Sequence, residues 1–149
     1  MKQHPMLACA SAILLFATVA AVGQAELTAQ QPRKRMVAPI RGEAELGFTK
    51  PVTKRTKGEI VTTIRIQNLS ETNTIVGLKV DEYWYDKGGD PVTGDTYRLR
   101  RPLMPQEVLE VVLNTPVNPK MDRNQYKFEH ANGAIKTVSV PKLELPPAE

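Results

Sequence analysis

The sequence predicts an all-β chain: an antiparallel β-sandwich of about seven strands, set behind an N-terminal signal helix. Three observations predict it. From Glu43 onward apolar residues recur at every second position, the period of a strand with one buried face. The 12 prolines in the chain suit many loops and edge strands better than helices. Turn chemistry separates the alternating stretches at short intervals, the spacing expected of two packed sheets.

The first element is a targeting segment. Lys2 supplies a positive start, Met6 to Val22 is almost wholly apolar, and Gly23-Gln24-Ala25 places small residues at a cleavage site. This is the layout of a secretory signal peptide over residues 1–25, with cleavage after Ala25. The alternative is an anchor formed by an uncleaved N-terminal helix, since an apolar run of about 17 residues is at the short end of a membrane span. Cys9 is the only cysteine and lies inside the removed segment, so the exported chain has no thiol for a disulfide. Residues 26–42 combine Pro32 and Pro39 with Arg33-Lys34-Arg35 and show little periodicity. They read as a basic flexible linker. A β-domain over 43–142 and a C-terminal tail over 143–149 complete the expected organisation.

Within the domain each strand follows from alternation. Ala44–Phe48 comes first. In Glu59–Asn68, Ile60, Thr62, Ile64 and Ile66 share one face. In Thr74–Asp86, Val76, Leu78, Val80 and Trp84 oppose Lys79, Asp81, Tyr83 and Tyr85, which places Trp84 at the centre of the core. A weaker strand covers Thr96–Arg100. Glu107–Asn114 turns Leu109, Val111 and Leu113 inward, and Gln125–His130 does the same with Tyr126, Phe128 and His130. Pro119–Arg123 is expected to form a single helical turn. Asn132-Gly133 tolerates positive φ at both positions, and predicts a tight type I′ hairpin into the strand Ala134–Val140.

Residues 58–129 resemble the bacterial FxLYD-type domain, an immunoglobulin-like sandwich of exported proteins. The matching features are the strand ending Ile66-Gln67-Asn68-Leu69-Ser70, the strand Gly77–Asp86, a Gly-rich turn, and Leu103-Met104-Pro105-Gln106-Glu107 before the next strand. Tyr85 and Asp86 match the end of the family's signature, while Glu82 and Trp84 stand in place of its Phe and Leu. Gln106 stands where the family usually has Gly. The resemblance implies an accessory or adhesive module without catalysis.

Charge narrows the partners. The chain carries a net +4, but residues 43–149 hold 15 basic and 15 acidic side chains. The excess lies in the tether, whereas nucleic-acid-binding domains carry it on the fold. A protein or an envelope polymer is the expected partner, with no nucleic acid. Membrane contact is expected only through the signal segment or weak attraction of the basic linker.

Catalytic constellations are missing from the residue types. After cleavage the serines are Ser70 and Ser139 and the histidine is His130, none in a nucleophile motif. One histidine makes zinc ligation implausible, and Asp86, Asp90 and Asp95 have turn spacing rather than calcium-loop spacing. No cofactor is expected. Glu82 shares the apolar face with Val80 and Trp84, so it needs a partner: an arginine from Arg98–Arg101, or a bulge that turns it outward.

The aromatics are more informative. Tyr83 and Tyr85 point away from the core, and exposed tyrosines recur at interfaces because they join apolar area to a polar tip. With Arg98, Arg100 and Arg101 they form the candidate binding surface. The expected function is a non-catalytic binding or accessory module of the cell envelope, secreted or periplasmic. The alternatives are a self-associating structural component of the envelope and, more remotely, a hydrolase of envelope polymer.

Overall fold

The computed structural model describes residues 36–147. Residues 1–35, which include the stretch expected to be a signal segment and most of the expected linker, lie outside that range, as do 148 and 149. Eight strands form: β1 (Ala44–Phe48), β2 (Val52–Arg55), β3 (Glu59–Asn68), β4 (Lys79–Tyr85), β5 (Pro91–Arg98), β6 (Val108–Pro116), β7 (Arg123–His130) and β8 (Gly133–Ser139). They join in one curled mixed sheet of order β2-β3-β1-β8-β7-β4-β5, with β6 on the other edge of β3.

The pairing is not wholly antiparallel. β1 lies antiparallel to β3 but parallel to β8, from Ala44↔Ile135 to Phe48↔Ser139. Most of the domain separates β1 from β8 in sequence, so no hairpin dictates their relative direction. The curl comes from β8. It pairs with β7 only at Glu129↔Ala134 and His130↔Gly133, then leaves β7 and follows β1.

Alternation carries through to burial. Ile60, Thr62, Ile64, Ile66 and Asn68 of β3 are buried in strict period two. The core gathers Ala44 and Leu46 of β1, Ile64 and Ile66 of β3, Val80 of β4, and Val111 and Leu113 of β6, with Ile75, Leu78 and Leu103 from the adjoining segments. The centre is therefore aliphatic. Trp84 does not fill it: the residue is only half-buried, at the end of β4 where the β4–β5 register shifts.

Side chains bridge β5 and β6, where the sheet curls round. Asn114 N–H of β6 donates to Asp95 Oδ2 of β5 at 2.7 Å, and the Thr93 hydroxyl donates to the Pro116 carbonyl at 3.1 Å. The weak strand expected at 96–100 is thus β5, which starts earlier, at Pro91, and ends at Arg98, before the bend at 100–101.

Both ends of the folded body reach further than the sequence indicates. Residues 38–42 are docked rather than free. Pro39 bridges Thr74 in parallel, Ile40 N–H donates to Thr74 O at 2.8 Å, and Gly42 N–H donates to Asn132 O at 2.9 Å. At the other end Leu143 is buried and its carbonyl accepts from the Arg65 guanidinium at 3.1 Å. Pro119–Arg123 makes no helical turn. Met121 N–H donates to Asn118 O at 3.1 Å in a single reverse turn, and Arg123 opens β7.

The last hairpin is shifted by one residue. His130 pairs with Gly133, so Ala131 and Asn132 are the two turn residues, and neither has positive φ. This is not the type I′ geometry, which needs positive φ at both. Gly133 is required for another reason: a Cβ there would stand 2.0 Å from the Gly42 carbonyl oxygen. The docked segment demands the glycine, as does its own φ of 156.

Gln106 has φ 58, the one non-glycine among the described residues with positive φ. That conformation costs roughly 1–2 kcal/mol for an ordinary L residue. Its backbone N–H donates to Asn68 O at 3.0 Å and its side-chain amide to Leu69 O at 2.9 Å. Asn68 holds the same loop from within, its buried amide donating to Asn73, Leu103 and Met104 carbonyls. The Asn68-Leu69-Ser70 segment is therefore part of the loop structure.

Candidate binding surface

Three strands, β7-β4-β5, set the surface. Residues directly opposite in an antiparallel pair share a face. On β4 the outward set is Lys79, Asp81, Tyr83 and Tyr85. Opposite them on β7 stand Glu129, Lys127, Gln125 and Arg123. Opposite them on β5 stand Arg98, Thr96, Gly94 and, past the irregularity, Pro91.

The two tyrosines lie together. Their ring centroids are 6.5 Å apart with planes tilted by 43°. Tyr83 is 36% exposed and Tyr85 is half-buried. Gly94 leaves bare backbone beside Tyr83, and only glycine fits, because a Cβ would stand 2.2 Å from the Glu82 carbonyl oxygen. Next to Tyr85 a shallow hollow of about 330 Å³ is lined by Gly89, Arg123, Asn124 and Gln125.

The other end of the face is charged. Lys79 Nζ reaches Asp81 Oδ2 at 2.8 Å and Glu129 Oε2 at 2.5 Å, and Lys127 Nζ reaches Glu129 Oε1 at 2.7 Å. Asp81 is 2% exposed. Burial pushes its carboxyl upward, but the Lys79 ammonium and a hydrogen bond from the Thr96 hydroxyl outweigh burial and hold it below the usual range. Glu129 is held down to about 2 by Lys127 and Lys79. A second open hollow, about 510 Å³, lies here against Lys79, Arg98, Lys127 and His130.

The five residues singled out by sequence therefore divide. Tyr83, Tyr85 and Arg98 share the outer face, but Arg98 stands opposite Lys79, four residues from Tyr83 along β4. Arg100 is exposed on the bend after β5. Arg101 is committed elsewhere: its guanidinium donates to both Glu107 oxygens, and Glu107 also accepts the Met104 N–H at 2.8 Å. The Arg101 guanidinium holds the Glu107 carboxyl below its ordinary value, against burial. Arg101 closes the 102–106 loop and contributes no free cation. Arg123 takes its place beside Tyr85. Sequence reasoning missed it because only the β4–β7 register brings the two together.

Glu82 is buried as its alternation predicts, at 1% exposure. It pairs with no arginine, and no bulge turns it out. Four neutral groups converge on it instead. Oε1 accepts from the Thr62 hydroxyl at 3.0 Å, the Tyr126 hydroxyl at 3.0 Å and the Asn124 amide at 3.2 Å; Oε2 accepts from the Thr115 hydroxyl. Burial and the adjacent Glu82 carboxyl push the Tyr126 phenol up to about 12.

His130 is 7% exposed, and its ring is occupied. Nε2 donates toward the Gly42 carbonyl at 2.9 Å and the Ala134 carbonyl at 3.1 Å, while Nδ1 accepts from Asn132 N–H at 3.4 Å. The acidic turn residues are also engaged: Asp86 Oδ1 accepts the Asp90 N–H at 3.0 Å, and Asp95 accepts from Thr96 and Asn114. In comparisons with protein-family models, curated proteins and solved structures, the chain matches none.

Proposed function

We propose that this is an exported, non-catalytic binding or accessory module of the cell envelope, an immunoglobulin-like sandwich of the FxLYD kind that binds through the outer face of β7-β4-β5. One observation carries the reading: Tyr83 stands 36% exposed beside Tyr85, in the middle of a three-stranded face. An exposed tyrosine with a half-buried aromatic neighbour, within an otherwise polar face, is the composition of an interface. Support for a non-catalytic role comes from the two groups with the best catalytic potential. Glu82 is enclosed by four donors, and both ring nitrogens of His130 face backbone. Export rests on the signal layout of residues 1–25.

The test is capture from envelope extract by the protein purified from cells expressing the full chain, beside a folded Tyr83→Ser/Tyr85→Ser variant. A partner held by the wild type and lost by the variant is the expected result. Equal capture by both would end the assignment of this face.

A second reading, self-association into an envelope structure, is favoured by β2. All four of its residues are exposed, with Val52 at 68%, and it lies at the end of the sheet. Lys54 and Arg55 on that strand oppose edge-to-edge pairing. Mass that rises with concentration in sedimentation would favour this reading.

A further inference from the structure

We infer that the β7-β4-β5 face takes an acidic polysaccharide, a chain of sugar rings bearing carboxylates, laid along β4; this rests on that face being the binding surface. The first ground is charge. Residues 43–149 are balanced at 15 basic and 15 acidic, yet this face carries four cations, Arg123, Lys127, Lys79 and Arg98, against two carboxylates, Asp81 and Glu129. Both carboxylates are satisfied by Lys79 and Lys127. Among the described residues neither Arg98 nor Arg123 forms an ion pair. The unmatched cations thus sit at the two ends of the face, Arg123 opposite Tyr85 and Arg98 opposite Lys79. Those ends are about 20 Å apart at the rise of a strand. A polymer with repeated negative charge meets both ends at once; a small anion meets one.

The second ground is shape. The C–H face of a sugar ring packs on an aromatic ring, and its hydroxyls need donors and acceptors alongside. Tyr83 and Tyr85 supply the rings, Gln125 supplies the amide, and Gly94, exposed opposite Tyr83, carries no side chain. The third ground weighs against a peptide. Peptides that dock on sheets use a free strand edge; β4 is paired on both sides, and β5, the last strand of the order, is bridged to β6 through Asp95 and Thr93. A stable protein interface buries about 800 Å² per partner around an apolar centre, and this face offers two tyrosines among ion pairs.

The test uses the same purified protein and oligogalacturonate of defined length in calorimetry, with cello-oligosaccharide as the neutral comparison and polyphosphate as the anionic one. Binding of oligogalacturonate is expected, weakening at least tenfold in Arg123→Gln and more in Tyr83→Ser/Tyr85→Ser, with cello-oligosaccharide far weaker. Equal binding of polyphosphate, unaffected by the tyrosine changes, would overturn the inference in favour of unspecific attraction to cations. No oligogalacturonate binding, with a tyrosine-dependent protein still captured from extract, would overturn it and leave the binding face standing. Loss of both would remove the two together.

Discussion

The Glu82 carboxyl of β4 and the Thr62 hydroxyl of β3 lie 3.0 Å apart, joining strands from opposite parts of the curled sheet in the middle of the fold. Thr115 of β6 meets the other oxygen of the same carboxyl, so one side chain ties β4 to the paired strands β3 and β6, with which β4 has no backbone pairing.

Removing that side chain strands its donors. Each buried polar group left unpaired costs about 1–3 kcal/mol. Glu82→Ala is expected to lower stability by about 3 kcal/mol or more, and Glu82→Gln, which keeps the volume and one accepting oxygen, by about 1–2 kcal/mol. Urea unfolding followed by tryptophan fluorescence measures both, and equal losses would argue against the network.

Tyr126 faces the same carboxyl, and its phenol is raised to about 12 from 10.0. The folded state therefore keeps this proton while the unfolded chain gives it up. The stabilisation is complete below pH 10 and is lost as pH rises through about 12. An ultraviolet titration is expected to show one late-ionising tyrosine, absent from Tyr126→Phe.

Glu129 shifts in the other direction, from 4.5 to about 2. The unfolded chain takes up this proton first. The contribution is present above pH 4.5 and is lost as pH falls toward 2. Carboxyl carbon shifts in NMR are expected to report the low midpoint. In Lys127→Gln, which removes the larger cause, the midpoint moves toward the ordinary value.

Gly133→Ala places a methyl group against the Gly42 carbonyl. Overpacking costs about 1–3 kcal/mol in ordinary cores, and here a backbone atom stands in the way, so the upper end is expected. Faster hydrogen exchange at Gly42 N–H, which bonds Asn132 O, would show that segment 38–42 has been displaced.

Much of this fold was legible because alternation is a local signal. Ala44–Phe48 and Glu59–Asn68 appear in the structure with the bounds that periodicity marks, and Glu82 lies on the face alternation assigns to it. What escaped was set by register. β2 is four exposed residues, Val-Thr-Lys-Arg, with no buried face to leave a pattern. Thr62, Thr115, Asn124 and Tyr126 are unremarkable in sequence, and only the pairing of β3, β4, β6 and β7 points them at one carboxyl. The same holds for Arg123 beside Tyr85. Segment 38–42 looked like linker because it is stabilised by backbone bonds to Thr74 and Asn132, and such bonds leave no trace in residue type.

The parallel pairing of β1 and β8 bears on how the domain carries load. The chain enters through β1 and departs through β8, and five residues of each run side by side. Tension between the two ends pulls β1 backward and β8 forward along their common axis. The hydrogen bonds of that ladder are then stretched together in shear instead of being peeled one at a time. Traction between the two ends of the folded body is thus met by a ladder whose bonds must give way together.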